Sequence, residues 1–154
     1  MFYTGIGSRS TPPNVCLAMR EMAKTLCLMG YTLRSGAAQG ADAAFESGST
    51  RNEIWLPWRG FNGHSSPLLP SPAAFVLAAQ HHPAWHACSR GARALHARNM
   101  HQVLGPNLDS PSSFILFWTP NIIPSGGTSQ ALRLAAAHSI PCYNLRDPST
   151  KLPF

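Results

Sequence analysis

Acidic residues are scarce in this sequence: six Asp and Glu oppose twelve Lys and Arg, which leaves a formal net charge of +6. Charged residues make up only 12% of the chain, against 44% hydrophobic residues, so the composition excludes a disordered tail and a coiled coil. No apolar run approaches the ~20 residues of a membrane span, and no membrane partner is expected. We therefore expect one globular domain over residues 1–154, long enough to bury its own core.

Cysteines are few, and none belongs to a C-x-x-C pair that would indicate zinc binding or disulfide exchange. Their apolar surroundings predict buried free thiols. The N-terminus, MFYTGIGSRS, lacks the charged start and long apolar segment of a signal peptide, which favours a cytoplasmic location. The four cysteines are Cys16, Cys27, Cys88 and Cys142.

Two nucleotide-binding motifs are also missing, the G-x-G-x-x-G dinucleotide fingerprint and the G-x-x-x-x-G-K-[ST] loop. A standard NAD site and a P-loop ATPase are therefore not supported, and no cofactor is expected. His82 and His86 have the i, i+4 spacing of metal ligands, but no carboxylate or cysteine pair near them in the sequence completes a site. We expect no metal.

Strand and helix patterns alternate along the chain. This alternation predicts an α/β fold with a Rossmann-like, doubly wound, mainly parallel sheet of about five strands and helices on both faces. Thr11 is positioned to cap the first helix and Gly30 to end it. The tail, about residues 146–154, is expected to be irregular. The predicted strands cover residues 2–6, 31–35, 53–57, 113–118 and 141–145, and the helices cover about 15–29, 41–48, 73–82 and 86–104 and a segment after the SGG turn.

Three predicted strand ends carry small residues: GIGS at 5–8, SGAAQGAD at 35–42 and SGGTS at 125–129. The carboxyl ends of parallel strands lie along one edge of a sheet, where each following helix begins with unpaired N–H groups and partial positive charge. Small residues let an anion approach those N–H groups closely. The turns together therefore predict a site for a phosphate-bearing ligand, although glycine at any one of them could serve a helix cap alone.

Positive charge is concentrated in the middle of the chain, because no acidic residue lies between Glu53 and Asp109. This segment also contains a long loop over residues 58–72, rich in Pro, Gly and Ser, of the kind that often covers a site. A basic face of the helix at 86–104, including His101, could contact nucleic-acid phosphates or simply be solvated. In the loop, Trp58 could stack on a base.

The pieces GIGSR, RSGAAQGADAAFESG, IWLPW, ARNMHQVLG and SGGTSQALRLAAAHSIPCYNL together resemble the SLOG superfamily of Rossmann-like proteins. That superfamily includes the DNA-processing protein A (Smf) family, the Lonely Guy phosphoribohydrolases and many small phage proteins. The resemblance implies nucleotide binding at the glycine turns and a possible homodimer. It implies ligand-binding roles for Gly5, Gly7, Ser8, Arg9, Ser35, Gly36, Gly40, Asp42, Asn99, Gly126, Gly127 and Thr128, to which the residue pattern adds Trp58.

The resemblance does not identify a single catalytic carboxylate in this sequence. Lonely Guy enzymes cleave an N-glycosidic bond with a Glu, but Ala131 stands at that position here. If the protein is a hydrolase, Glu46 or Asp42 must supply the carboxylate, with Arg98 steadying a phosphate. Asp42 and Glu46 are one helical turn apart, and both could instead complement the helix dipole.

Two functions are therefore expected at this stage. The first is binding of a nucleotide or phosphorylated ribose compound, to process it by N-glycosidic hydrolysis or transfer or to sense or sequester it. The alternative is a single-stranded DNA-binding module like DNA-processing protein A, acting in recombination. A clamp on the phosphate could come from Arg9 or from Arg34, and Arg34 could equally point to solvent.

Overall fold

The computed structural model describes residues 1–147 and 149–154 and contains a sheet of five parallel strands in the order β3-β2-β1-β4-β5. The predicted α/β doubly wound fold is confirmed. The strands are β1 (Phe2–Gly7), β2 (Thr32–Ser35), β3 (Asn52–Ile54), β4 (Ile115–Trp118) and β5 (Cys142–Asn144). The α-helices are α1 (Pro13–Leu28), α2 (Ala41–Gly48), α3 (Pro72–His81), α4 (Arg90–Leu104) and α5 (Gly126–Ala137).

The two central strands, β1 and β4, pair in a register that sets Gly7 beside Trp118. All four residues of β4 are buried, as expected for a strand covered on both faces. The strands after β1 are added first on one side, as β2 and β3, and then on the other, as β4 and β5. The carboxyl ends of β1 and β4 therefore form the switch point of the sheet. Ligands of open α/β sheets bind in the crevice at such a point.

The helices form two layers, each with its own apolar core. On one face α1 and α2 pack over residues such as Tyr3, Leu33 and Phe45, and on the other α3, α4 and α5 pack over residues such as Ile115 and Leu134. Burial of apolar area on both faces stabilises the sheet by roughly 25 cal/mol per Å² removed from water. The sheet therefore holds its carboxyl-terminal edge as a rigid platform.

In helix α1, Met19, Ala23 and Leu26 are fully buried and lie on one face of the helix. Gly30 lies just past its end with φ of +87°, as predicted. The predicted cap is wrong, because the Thr11 hydroxyl donates to the Ser8 carbonyl at 2.6 Å and the helix has no side-chain cap. Thr11 therefore closes the preceding turn, while a proline that lacks an N–H begins the helix.

Two predicted elements have different limits in the structure. The third strand ends at Ile54. The Trp55 N–H still donates to the Ser35 carbonyl of β2 at 2.9 Å, while Trp55 and Leu56 pair with Leu68 of the long loop. The predicted helix over 86–104 begins instead as α4, where the Ser89 hydroxyl accepts the N–H of Ala92 at 3.1 Å. A separate 3₁₀ turn, Trp85–Ala87, precedes it. A strong N-cap thus overrides the earlier helical pattern.

The predicted basic face of α4 is wrong at one of its members. His101 is 1% exposed and stacks on Trp55 with ring centroids 4.3 Å apart. Its Nε2 accepts the N–H of Ser71 at 3.0 Å, and its Nδ1 donates to the Gly105 carbonyl at 2.9 Å. The helix turns this residue into the protein, where its ring is satisfied by partners that sequence spacing does not reveal.

The thiols are also less buried than expected. All four cysteines are free, three are half-buried and Cys142 is exposed. No helix in the described part of the chain combines the length and the apolar character that crossing a bilayer requires.

Candidate functional site

A cavity of about 730 Å³ opens at the carboxyl-terminal edge of the sheet, outside β1 and β4. Its walls come from all three glycine turns, from the segment after β4, from α4 and from the long loop after β3. The cavity is large enough for a nucleotide-sized ligand. Ten of the residues predicted for the site lie in its lining: Gly7, Ser8, Arg9, Asp42, Trp58, Arg98, Asn99, Gly126, Gly127 and Thr128.

The first and second glycine turns are hydrogen-bonded to each other. The Ser8 carbonyl accepts the N–H groups of Ala41 and Thr11, each at 3.3 Å, and also the Thr11 hydroxyl. The N–H of the first residue of α2 is therefore used by the protein itself and is not free for a ligand.

Four of the residues predicted to bind a ligand at these turns lie in closely packed surroundings. Gly40 has φ of +78°, and a Cβ added there would lie 2.5 Å from the Ser8 carbonyl oxygen. A Cβ on Gly36 would collide with the side chains of Arg98 and Gln102. Gly5 lies within β1 against Phe45. The Ser35 hydroxyl donates to the Gly5 carbonyl at 2.7 Å, and none of these four residues lines the cavity.

Asp42, one residue into α2, is 3% exposed and lines the cavity. Burial raises the pKa of its carboxyl to about 6, although the Arg98 guanidinium and nearby backbone N–H groups favour the charged form. Desolvation outweighs these attractions. The carboxyl therefore changes charge close to neutral pH.

Arg98 and Asn99 join the second glycine turn to the third. The Arg98 Nη1 donates to the Gly36 carbonyl, and its Nε donates to Oδ1 of Asn99 at 3.1 Å. Asn99 Nδ2 donates in turn to the Gly127 carbonyl at 3.0 Å. Burial lowers the pKa of Arg98, opposed by the charge of Asp42. Its remaining nitrogen, Nη2, donates to no acceptor in residues 1–147 or 149–154.

The third glycine turn is open. The helix α5 begins at Gly126, its N-cap Ser125 makes no side-chain hydrogen bond to it, and a Cβ on Gly126 would meet nothing within 4 Å. The first N–H groups of an uncapped helix point along its axis and carry partial positive charge. The anion cradle at this turn stays a prediction, and the geometry leaves room for it.

Gln102 is a cavity residue that the sequence reasoning missed. It is 1% exposed, and within the described residues its Nε2 is a buried donor without a hydrogen-bond partner. A buried donor without a partner is unfavourable by about 1–3 kcal/mol, and a ligand acceptor would relieve that penalty. Its spacing of four residues from Arg98 on α4 is the signal that could have revealed it.

Glu46 lies outside the cavity lining. Its Oε1 is 2.7 Å from Nε2 of His64, and both side chains are about one-quarter exposed. Ala131, at the position of the Lonely Guy carboxylate, is fully buried in the core between α5 and the sheet. Asp42 is therefore the carboxylate that the structure offers to a bound ligand.

The mouth of the cavity combines aromatic and basic side chains. Trp58 is 46% exposed and meets the Phe61 ring edge to face, with centroids 5.3 Å apart. Arg9 is exposed and also lines the cavity. Arg34 takes no part, because it is 1% exposed and donates to Glu53 at 2.9 Å and to the Ser110 carbonyl.

The structure is similar to that of DNA processing protein A from Helicobacter pylori, with a TM-score of 0.57 and 14% sequence identity. The alignment covers 94% of this chain and 64% of that one, so the chain spans less than two-thirds of the length of that protein. The neighbour binds single-stranded DNA. No protein-family model and no curated protein matches the sequence. The similarity establishes a shared fold.

Proposed function

We propose that this protein binds single-stranded DNA, with one phosphate of the strand held inside the cavity. The proposal depends on one observation: donors that have no partner among the described residues meet in a single crevice. They are Nε2 of Gln102, Nη2 of Arg98 and the first N–H groups of α5. A phosphodiester offers charged oxygens to such donors, and charge-assisted hydrogen bonds are about twice as strong as neutral ones.

The charge of the chain supports the same ligand. The net charge is +6, and the segment from residue 54 to residue 108, which contributes α4 and the long loop to the cavity walls, contains no acidic residue. A basic surface concentrates polyanions near it and releases counterions when they bind. Arg9 at the mouth adds a guanidinium within reach of a neighbouring phosphate.

The aromatic residues at the mouth suit an unpaired base. Trp58 is only half-covered, although it packs against Phe61. Stacking of a base on such a ring contributes about 1–3 kcal/mol and accepts any base. The similarity to a protein that binds single-stranded DNA favours this ligand over a free nucleotide.

The test is fluorescence anisotropy with a labelled oligo(dT) over a range of salt concentrations. Gln102→Leu keeps the volume and removes the unpaired donor, so we expect roughly tenfold weaker binding. Gln80→Leu is the matched control, because Gln80 is exposed on α3 and does not line the cavity. Equal affinities for Gln102→Leu and the wild type, with both folded, would refute the proposed cavity site.

A second candidate is a nucleotide or phosphorylated ribose compound whose N-glycosidic bond is cleaved. The observation that favours it is Asp42, a buried carboxyl in the cavity with a pKa of about 6, which suits proton transfer near neutral pH. This candidate predicts thermal stabilisation by a mononucleotide, weak salt dependence and release of free base that Asp42→Asn abolishes. Binding of oligo(dT) that weakens steeply with salt, without base release, would exclude it.

A further inference from the structure

Three side chains of the kind that bind transition metals meet beside the cavity. They are His82, Cys88 and His96, and one ligand atom from each lies within 4.8 Å of the other two. The Cys88 Sγ is 3.6 Å from Nε2 of His82, and the two imidazole rings have centroids 4.5 Å apart. His82 follows α3, Cys88 precedes α4 and His96 lies within α4, so the fold brings three separate segments to one point.

His96 is the buried member of this cluster. It is 8% exposed, and its Nδ1 is a buried atom without a hydrogen-bond partner in the described residues. In its neutral form an imidazole ring has one nitrogen lone pair that it can offer to a ligand. A buried nitrogen without a partner needs an explanation, and a metal ion would provide one.

We propose that His82, Cys88 and His96 bind a transition metal ion of the zinc class, with two nitrogen ligands and one sulfur ligand. Zinc bonds to such atoms are about 2.0–2.3 Å long, which places neighbouring ligands of a tetrahedron roughly 3.5 Å apart. The sulfur–nitrogen pair already has that separation at 3.6 Å. Three protein ligands leave a fourth position for water.

Binding removes the thiol proton of Cys88 to solvent, so the thiolate offsets one of the two positive charges that the ion brings. Nδ1 of His82 accepts the N–H of Ala84 at 3.0 Å, so the neutral ring carries its proton on Nε2. Coordination through Nε2 moves that proton to Nδ1 and breaks this hydrogen bond, whereas coordination through Nδ1 displaces the Ala84 N–H. Either way the metal–nitrogen bond replaces this neutral hydrogen bond, and the metal–sulfur bond replaces the one that the Cys88 thiol donates to the Ala84 carbonyl at 3.6 Å.

This site departs from the expectation that the chain binds no metal. The i, i+4 pair His82 and His86 is not on one helix, since α3 ends at His81, and His86 is exposed outside the cluster. Instead of His86, the residues that meet His82 are Cys88 and His96, six and fourteen residues further along the chain. No short sequence pattern carries that spacing.

The experiment measures Zn²⁺ binding to the full chain by competition with a chromogenic chelator, and Co²⁺ binding by the visible absorption of a cobalt–thiolate bond. The wild type should bind one ion per chain with both readouts. Cys88→Ser should weaken Zn²⁺ binding at least ~100-fold and remove the thiolate band, because loss of a ligand exceeds the 10–100-fold effect of an outer-sphere partner. His96→Gln should weaken binding to a similar extent.

Two controls distinguish the site from adventitious binding. Cys142→Ser removes an exposed thiol, and His86→Gln removes an exposed histidine, neither of which belongs to the cluster. Both should bind the ion like the wild type. A wild type that binds no more tightly than Cys88→Ser, or an equal loss in Cys142→Ser, would overturn the proposal. If His96→Gln fails to fold, Cys88→Ser still tests the site, because Cys88 is only half-buried and a serine there should not prevent folding.

Discussion

The first two glycine turns and the third look alike in sequence but differ in the structure. At the first two, the Ser8 carbonyl accepts hydrogen bonds from Thr11 and Ala41, and Gly36 and Gly40 are packed against neighbouring atoms. At the third, Gly126 faces open space at the start of an uncapped helix. One glycine-rich pattern therefore serves close packing in one place and ligand access in the other.

The difference shows how the site is built. The packed turns fix the position of α2 and its buried Asp42, while the open turn supplies free N–H groups. Arg98 and Asn99 hold the two regions at a set distance across the cavity. Substitutions in the packed turns, in the open turn, or at the residues that connect them should therefore have different effects.

The largest expected effect comes from the same substitution in each region. Gly40→Ala should destabilise the protein by about 4 kcal/mol, because it combines a left-handed backbone with a clash against the Ser8 carbonyl. Gly126→Ala has φ of +67° but open space around it, so only about 1 kcal/mol is expected. Urea denaturation measures both. Equal losses would mean that the two turns are packed alike.

Asp42 gives the packed region a pH dependence. Its folded pKa, about 6, lies above the ordinary value of 3.8, so the protonated form is the one that folding favours. This contribution is complete below about pH 4 and is lost as the pH rises through 6, a change of about 3 kcal/mol. Asp42→Asn should therefore gain stability relative to the wild type between pH 4 and pH 8. If urea denaturation gave the same difference in stability between Asp42→Asn and the wild type at every pH in this range, the raised pKa would be contradicted.

Asn99 tests the link between the regions. Asn99→Ala leaves the Arg98 Nε and the Gly127 carbonyl without their partner, which should destabilise the protein by about 2 kcal/mol. Oligo(dT) binding should weaken as well, because Arg98 loses its fixed position. Asn107→Ala, at an exposed residue after α4, is the control and should change neither the thermal midpoint nor the affinity.

Arg9 gives the smallest effect, confined to the mouth. Arg9→Ala should leave stability unchanged and reduce the slope of log K against log salt by about 1, as expected for one lost phosphate contact. Arg20→Ala is a matched exposed arginine on α1, away from the cavity. Identical slopes for the two variants would remove Arg9 from the ligand site.

Local sequence patterns were sufficient for the order of elements. The buried run of β4 and the spacing of Met19, Ala23 and Leu26 in α1 arise from burial on a sheet or helix face, which the sequence records directly. Element limits were less predictable, because the Ser89 cap and the Leu68 pairing depend on competing local bonds.

The site was predictable only in part, since its details are long-range. The sequence indicated that Arg98 could hold a phosphate, yet two of its nitrogens are used by Gly36 and Asn99. It also paired Glu46 with Asp42, but the structure sets Glu46 against His64. Gln102 was not predicted, because the sequence does not show that the amide of a helical glutamine is buried without a partner.

His96 belongs to two places at once, the wall of the cavity and the cluster with His82 and Cys88. Occupants of the two places therefore share a side chain, and thermodynamics requires their influence to be mutual. Whatever factor an ion at the cluster applies to the affinity for a strand in the cavity, the strand applies the same factor to the affinity for the ion. One titration repeated with and without the other partner yields both numbers.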